Sequence, residues 1–121
     1  MTNYRKGMAF ELRVRDLFRK LGYIAERKAA SAPYDIIVMK DGMIKFLIDA
    51  KKTSQRDKKI LYIKMADVEK IIKESKKLNT IPLIVYGFYR SPIFVAFPEE
   101  LIKKSVVKLE ENLKLEDFLK N

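Results

Sequence analysis

Residues 35 to 51 read as one β-hairpin whose polar ends constrain everything built around it. Asp35-Ile36-Ile37-Val38-Met39 is apolar after its first residue, Lys40-Asp41-Gly42 carries an Asp-Gly turn signal, and Ile44-Lys45-Phe46-Leu47-Ile48-Asp49-Ala50-Lys51 runs back. Both strands otherwise read as buried. Side chains alternate along a strand, so Asp49 and Lys51 share a face, and Asp35 stands at the mouth of the neighbouring strand. Charges attached to buried strands are costly unless a partner, a metal or a function compensates.

The flanking segments supply a core for that hairpin. Phe10, Val14, Leu17, Phe18 and Leu21 recur at the spacing of a core-facing helix, which predicts a helix over 5–21, stopped by Gly22. Glu11 falls close to the buried stripe of that helix rather than opposite it. Tyr23 to Lys28 reads as a first strand, and 29–33 as a small-residue loop with Pro33 just ahead of the hairpin. After the hairpin comes a polar, mostly positive loop over 52–59, then a short extended piece over 60–63 and a second helix over 67–78. Residues 82–86 and 93–97 are two strongly apolar strands; 98–100 suits a helical first turn, 106–107 a strand and 115–119 an amphipathic last turn. No internal repeat, linker or low-complexity block divides the chain. The order αβββαββ predicts one α/β domain over 1–121, with a central mixed β-sheet flanked by helices.

Residue usage narrows the chemistry. The chain contains no cysteine and no histidine, which excludes disulfide scaffolds, the usual zinc sites, thiol nucleophiles and histidine triads. Its four glycines cannot be written as a phosphate-cradling loop. What remains is carboxylates, lysines, hydroxyls and a hard, oxygen-liking cation such as Mg2+, with Mn2+ as a substitute. Lys and Arg number 26 against 16 acids, a net charge of +10, and a surplus of that size favours polyanions, nucleic acid first among them. No apolar run is long enough to span a membrane and the N-terminus lacks a signal-peptide core. The expectation is an intracellular protein, cytoplasmic or nucleoid-associated, with no membrane partner.

Phosphodiester hydrolysis needs an activated water, neutralised charge and a stabilised leaving oxygen, and divalent metals supply most of this. Glu11, Asp35 and Asp49 are the candidate carboxylate ligands, the Ala50 carbonyl a further oxygen, and Lys51 a group to orient water or stabilise charge at phosphorus. Read singly, each has an ordinary alternative: a strand-start acid at 35, a solvated helix acid at 11, a loop lysine at 51.

Beyond these residues, the stretch Asn3-Tyr4-Arg5-Lys6-Gly7-Met8-Ala9-Phe10-Glu11 resembles the opening signature of the archaeal-type Holliday-junction resolvases, cellular or viral, in which a basic pair and a glycine lead into a helix bearing a metal-site glutamate. Pro33-Tyr34-Asp35 resembles that family's Pro-Asp strand start, and Asp49-Ala50-Lys51 its acid-x-lysine element. Leu61-Tyr62-Ile63, the helix after it and Ile81 to Tyr86 resemble it in order and spacing, so the likeness runs from about residue 3 to about residue 97. The chain departs from the pattern at Tyr34, inserted between proline and aspartate; at Asp49, where glutamate is usual; and at Asp67, where relatives often carry glutamine. The loop 29–33 also lacks the glycines common there.

The resemblance implies a restriction-endonuclease-like fold and a homodimer that binds branched DNA by shape, placing metal-dependent paired nicks in a four-way junction. Carried over by position, Glu11, Asp35 and Asp49 become metal ligands, Lys51 the catalytic lysine, and Ser31 a serine near the scissile phosphate. Arg5 and Lys6 would contact DNA beside the site. The charge of the loop 52–59, independently of the resemblance, lets Lys52, Arg56, Lys58 and Lys59 read either as phosphate contacts or as a solvated surface. Ile93, Phe94, Val95 and Phe97 read either as core strand or as a dimer contact. Two other readings stay open: a nuclease of the same fold acting on other DNA structures, and a non-catalytic basic DNA-binding protein.

Overall fold

The computed structural model describes residues 3–29, 32–109 and 113–120, with the side chains of residues 3–6 outside the description. The elements in chain order are α1 (Asn3–Lys20), β1 (Ile24–Arg27), β2 (Ile36–Lys40), β3 (Met43–Lys52), β4 (Ile60–Tyr62), α2 (Met65–Lys77), β5 (Ile81–Gly87), β6 (Phe94–Ala96), α3 (Pro98–Leu101), β7 (Val106–Lys108), β8 (Leu113–Lys114) and α4 (Leu115–Lys120).

The hairpin forms where the sequence places it. Asp41 and Gly42 both take positive φ, 54° and 76°, the geometry of a two-residue type I′ turn whose twist matches its strands. β2 and β3 pair antiparallel from Lys40↔Met43 to Ile36↔Ile48, with a register shift between Val38 and Met39. β3 then outruns β2, and its far end, residues 46 to 52, pairs in parallel with β5. A parallel pair needs a crossover, which β4 and α2 provide. The six-stranded sheet runs β1-β2-β3-β5-β6-β8, mixed in direction, and β4 with β7 forms a separate two-stranded sheet.

The buried runs in β2, β3 and β5 are apolar on both faces because both faces are covered. On one side Phe10, Val14 and Phe18 of α1, with Leu115 of α4, pack on Ile36, Ile48, Leu83 and Val85. On the other, Val68 and Ile71 of α2 and Leu101 of α3 pack on Ile37, Leu47, Ile84 and Tyr86. The two longer helices, α1 and α2, end alike. Gly22 (φ 94°) and Asn79 (φ 51°) follow α1 and α2 in the left-handed conformation. The amides of Tyr23 and Thr80 then return to the carbonyls of Phe18 and Ser75, closing Schellman turns.

Ile93, Phe94 and Val95 are buried within the chain's own two cores and Phe97 packs partly against one of them, so β6 is a core strand and not the exposed contact face that was its alternative reading. The strand β8, beside β6, had no expected counterpart: two residues are too few to show a period.

Candidate active site

β3 and β5 end side by side, and the chemistry sits at the open end of β3. Beyond Ile36 there is no more β2 to pair with, so β3 residues 49–52 leave one edge bare. Asp35 fills part of it. Its amide donates to the Ile48 carbonyl at 2.8 Å, and its Oδ2 accepts the Ala50 amide at 2.7 Å. In a strand the N–H and C=O of one residue point the same way, so the Ala50 carbonyl faces this edge too.

Asp49 is the most confined charge. Its side chain is 14% exposed, and its Oδ2 is buried with no hydrogen-bond partner among the described residues. Lys51 Nζ stands 3.6 Å from that oxygen, an ion pair too long for a good hydrogen bond. Burial pushes the Asp49 carboxyl up, to about 7; the Lys51 charge opposes this, while Asp35, through its charge and a side-chain interaction, and then Asp67 reinforce it.

Lys51 is anchored from the opposite layer. Its Nζ donates to Asp67 Oδ2 at 2.7 Å, Asp67 lying in the first turn of α2. Burial lowers the lysine's affinity for its proton, but the Asp67 hydrogen bond and the charges of Asp49, Asp67 and Asp35 outweigh it, so its pKa is raised and it stays charged. Glu11 reaches the rim from α1, on the other face of the sheet. Arg27 Nε of β1 donates to its Oε1 at 3.0 Å. Burial raises the Glu11 pKa, with Arg27 opposing and the Asp35 charge adding to the rise.

The structure thus brings Asp35, Ala50, Asp49 and Lys51 together, with Glu11 near enough to sense Asp35 and Lys51. Among the described residues no three acidic side chains converge closely enough to enclose a metal, and Glu11 is engaged by Arg27. The donor set nevertheless fits a hard divalent cation. Asp49 keeps a buried carboxylate oxygen with no hydrogen-bond partner among the described residues, the Asp35 carboxylate stands at the same rim, and an edge carbonyl adjoins them. Ser31 lies outside the described residues, as do the side chains of Arg5 and Lys6. Lys52 and Arg56 are exposed, with Lys52 Nζ 5.8 Å from the centre of the Phe10 ring; Lys59 is exposed and Lys58 half-exposed. Beside Ala50 opens a cavity of about 400 Å³, walled by Gly7, Phe10, Lys52, Ser54 and Gln55.

Asp67 is the one site residue that sequence reasoning reached only as a departure from a pattern. An acid in a helix's first turn is ordinarily placed by the dipole, and nothing local ties it to residue 51.

A mixed sheet with helices on both faces, gathering acids and a lysine where two strands end, is the architecture of the restriction-endonuclease-like fold class. The comparisons with known proteins narrow it. Residues 2–121 match the family described as archaeal Holliday junction resolvase (hjc). Crossover junction endodeoxyribonuclease Hjc of Methanocaldococcus jannaschii is 34% identical over 92 residues, which are 76% of this chain and 66% of that relative's length. The solved Hjc of Archaeoglobus fulgidus, a Holliday junction resolvase, superposes with a TM-score of 0.80 over 96% of this chain and 97% of its own, at 16% identity, a likeness of fold. The chain belongs to the archaeal Holliday junction resolvase family.

Proposed function

We propose that this chain resolves four-way DNA junctions, hydrolysing one phosphodiester in each of two opposing strands, with Mg2+ as the metal and Mn2+ able to replace it. The observation that carries the reading is the buried Oδ2 of Asp49, which has no hydrogen-bond partner among the described residues and stands 3.6 Å from Lys51. A buried carboxylate oxygen left open is destabilising unless something else occupies it.

Asp35 and Asp49, with the Ala50 carbonyl, would hold the cation, and Glu11 would join on leaving Arg27. When bound, the cation supplies the positive charge that acidifies a water and neutralises the phosphate. Asp49 and Asp35 orient that water by accepting from it. Lys51 stays charged and faces the charge that develops at phosphorus. Ser31 is assigned a place near the scissile phosphate. Arg5, Lys6, Lys52, Arg56, Lys58 and Lys59 bind DNA backbone, which recognises geometry rather than base sequence.

A four-way junction has two equivalent strands about a two-fold axis, and a homodimer with one site per protomer matches that symmetry. The chain is read as one nuclease domain over 1–121, working inside the cell, cytoplasmic or nucleoid-associated. Among the described residues no helix is long and apolar enough to cross a membrane.

The test is cleavage of an end-labelled four-way junction beside a linear duplex of the same sequence, in Mg2+ and in chelator. Paired nicks in the junction alone, lost in chelator, are expected. Cutting of flaps or single strands at equal rate would move the chain to another nuclease of this fold; tight binding without cutting in either metal would make it a DNA-binding protein.

A further inference from the structure

Tyr89 sits against two guanidinium groups. Arg56 Cζ lies 5.4 Å and Arg90 Cζ 5.2 Å from the centre of its ring, both within cation–π range. The two arginines come from different loops, and among the described residues neither pairs with a carboxylate. Both are exposed, while the tyrosine is half-buried. Guanidinium groups gathered in this way and left without a carboxylate keep their donors available to an anion.

The loop that carries Tyr89 and Arg90 is fixed by contacts of its own. Arg90 has φ +53°, a left-handed conformation disfavoured for any residue with a Cβ. Buried Ser91 holds it there. The Ser91 hydroxyl accepts the Phe88 amide at 2.8 Å and donates to the Pro92 carbonyl at 2.7 Å. Arg13 of α1 donates to the Ser91 carbonyl at 3.0 Å. Backbone strain kept by several independent bonds marks a place where side-chain position matters.

The loop also starts at the site. Gly87 pairs with Lys52 in register, and its carbonyl accepts the Thr53 amide at 3.2 Å. Along the chain the cations follow one another from Lys51 on Asp67 and Lys52 over Phe10 to Arg56, which meets Arg90 on Tyr89.

We infer that Tyr89, Arg56 and Arg90 form a phosphate clamp that grips the DNA backbone, the ring holding both guanidiniums in place for backbone phosphates. The inference rests on the chain being a junction-binding nuclease. It assigns a DNA-binding role to Tyr89 and Arg90 and makes a neutral side chain responsible for part of the salt dependence. Planar guanidinium suits two-point contact with phosphate, and an ammonium does not reproduce it.

The experiment is binding of a labelled four-way junction in chelator across a salt series, with the unaltered protein and Tyr89→Leu, Tyr89→Phe, Arg90→Ala and Arg90→Lys. The clamp predicts that Arg90→Ala and Tyr89→Leu each weaken binding about tenfold and reduce the salt slope by about one, that Tyr89→Phe binds as the unaltered protein, and that Arg90→Lys fails to restore affinity. Tyr89→Leu with unchanged affinity and slope would overturn it. So would full restoration by Arg90→Lys, an exposed substitution that leaves the fold alone. Failure of the unaltered protein to bind the junction would instead remove the reading beneath it.

Discussion

Lys51 is held by Asp67 rather than by its strand neighbour: its Nζ is 2.7 Å from Asp67 Oδ2 and 3.6 Å from Asp49 Oδ2. The lysine is thereby drawn toward α2, and the inner oxygen of Asp49 stays open. Removing the Asp67 carboxylate leaves Asp49 as the nearest anion for a half-buried ammonium.

In Asp67→Ala, Lys51 is expected to close on Asp49 and compete with the cation. The Mg2+ concentration giving half-maximal cleavage should rise about 10- to 100-fold, the usual reach of residues that orient a metal site from outside it. Asp67→Asn, which still accepts a hydrogen bond, should fall between. Unchanged Mg2+ dependence in Asp67→Ala would make the pair purely structural.

Asp49→Ala should abolish cleavage while leaving junction binding within a few-fold, since it deletes a proposed metal ligand and little contact surface. Single-turnover cleavage beside a gel-shift titration separates the two. Wild-type cutting by this variant would refute the site assignment.

Asp49 also ties stability to pH. Its folded pKa, about 7, lies above its ordinary value of 3.8, so the folded chain holds the proton more tightly than the unfolded one. The sign follows: in chelator this group's contribution is complete below about pH 4 and is lost as pH rises toward 7. Melting temperatures of the metal-free protein should therefore fall between pH 5 and pH 8 by more than those of Asp49→Asn. Mg2+ should raise the wild-type value more at pH 8 than at pH 5. Parallel pH profiles for the two proteins would contradict the assigned shift.

Junction affinity should fall steeply with salt, because phosphate contacts release counterions. Lys52→Ala and Lys58→Ala should each flatten the plot of log affinity against log salt by about one, with little change in which strand is cut. A flat plot for the unaltered protein would show that the +10 charge is not what holds the DNA.

At Gly87 an added Cβ would meet Cε1 of the buried Phe10 ring at 2.9 Å. Gly87→Ala should cost about 1–3 kcal/mol through overpacking, read from denaturant midpoints. Gly7→Ala, with nothing within 4 Å of its Cβ, should escape that clash.

Much of this architecture was legible along the chain. The Asp-Gly turn and the alternation after it announced the hairpin, and its observed pairing runs from Lys40↔Met43 to Ile36↔Ile48. The stripe Phe10, Val14, Phe18 announced α1 and is its buried face. Local signals of this kind depend only on residues a few positions apart. They failed where an element is too short to have a period, as at β8, and where an apolar strand could be read two ways, as at β6.

By itself, the sequence determined the chemistry available: no histidine, no cysteine, acids at the ends of a buried hairpin and a large positive surplus. It also determined that Asp49 and Lys51 share a face, because strand alternation is a property of the backbone. Only the tertiary structure decided that Asp67 crosses from α2 to take Lys51, that Arg27 takes Glu11, and that Arg56 and Arg90 meet on Tyr89. These partners lie on separate layers or loops and are brought together by packing on two faces of one sheet. Which charges then meet depends on the depth and register of that packing, and no local pattern encodes it.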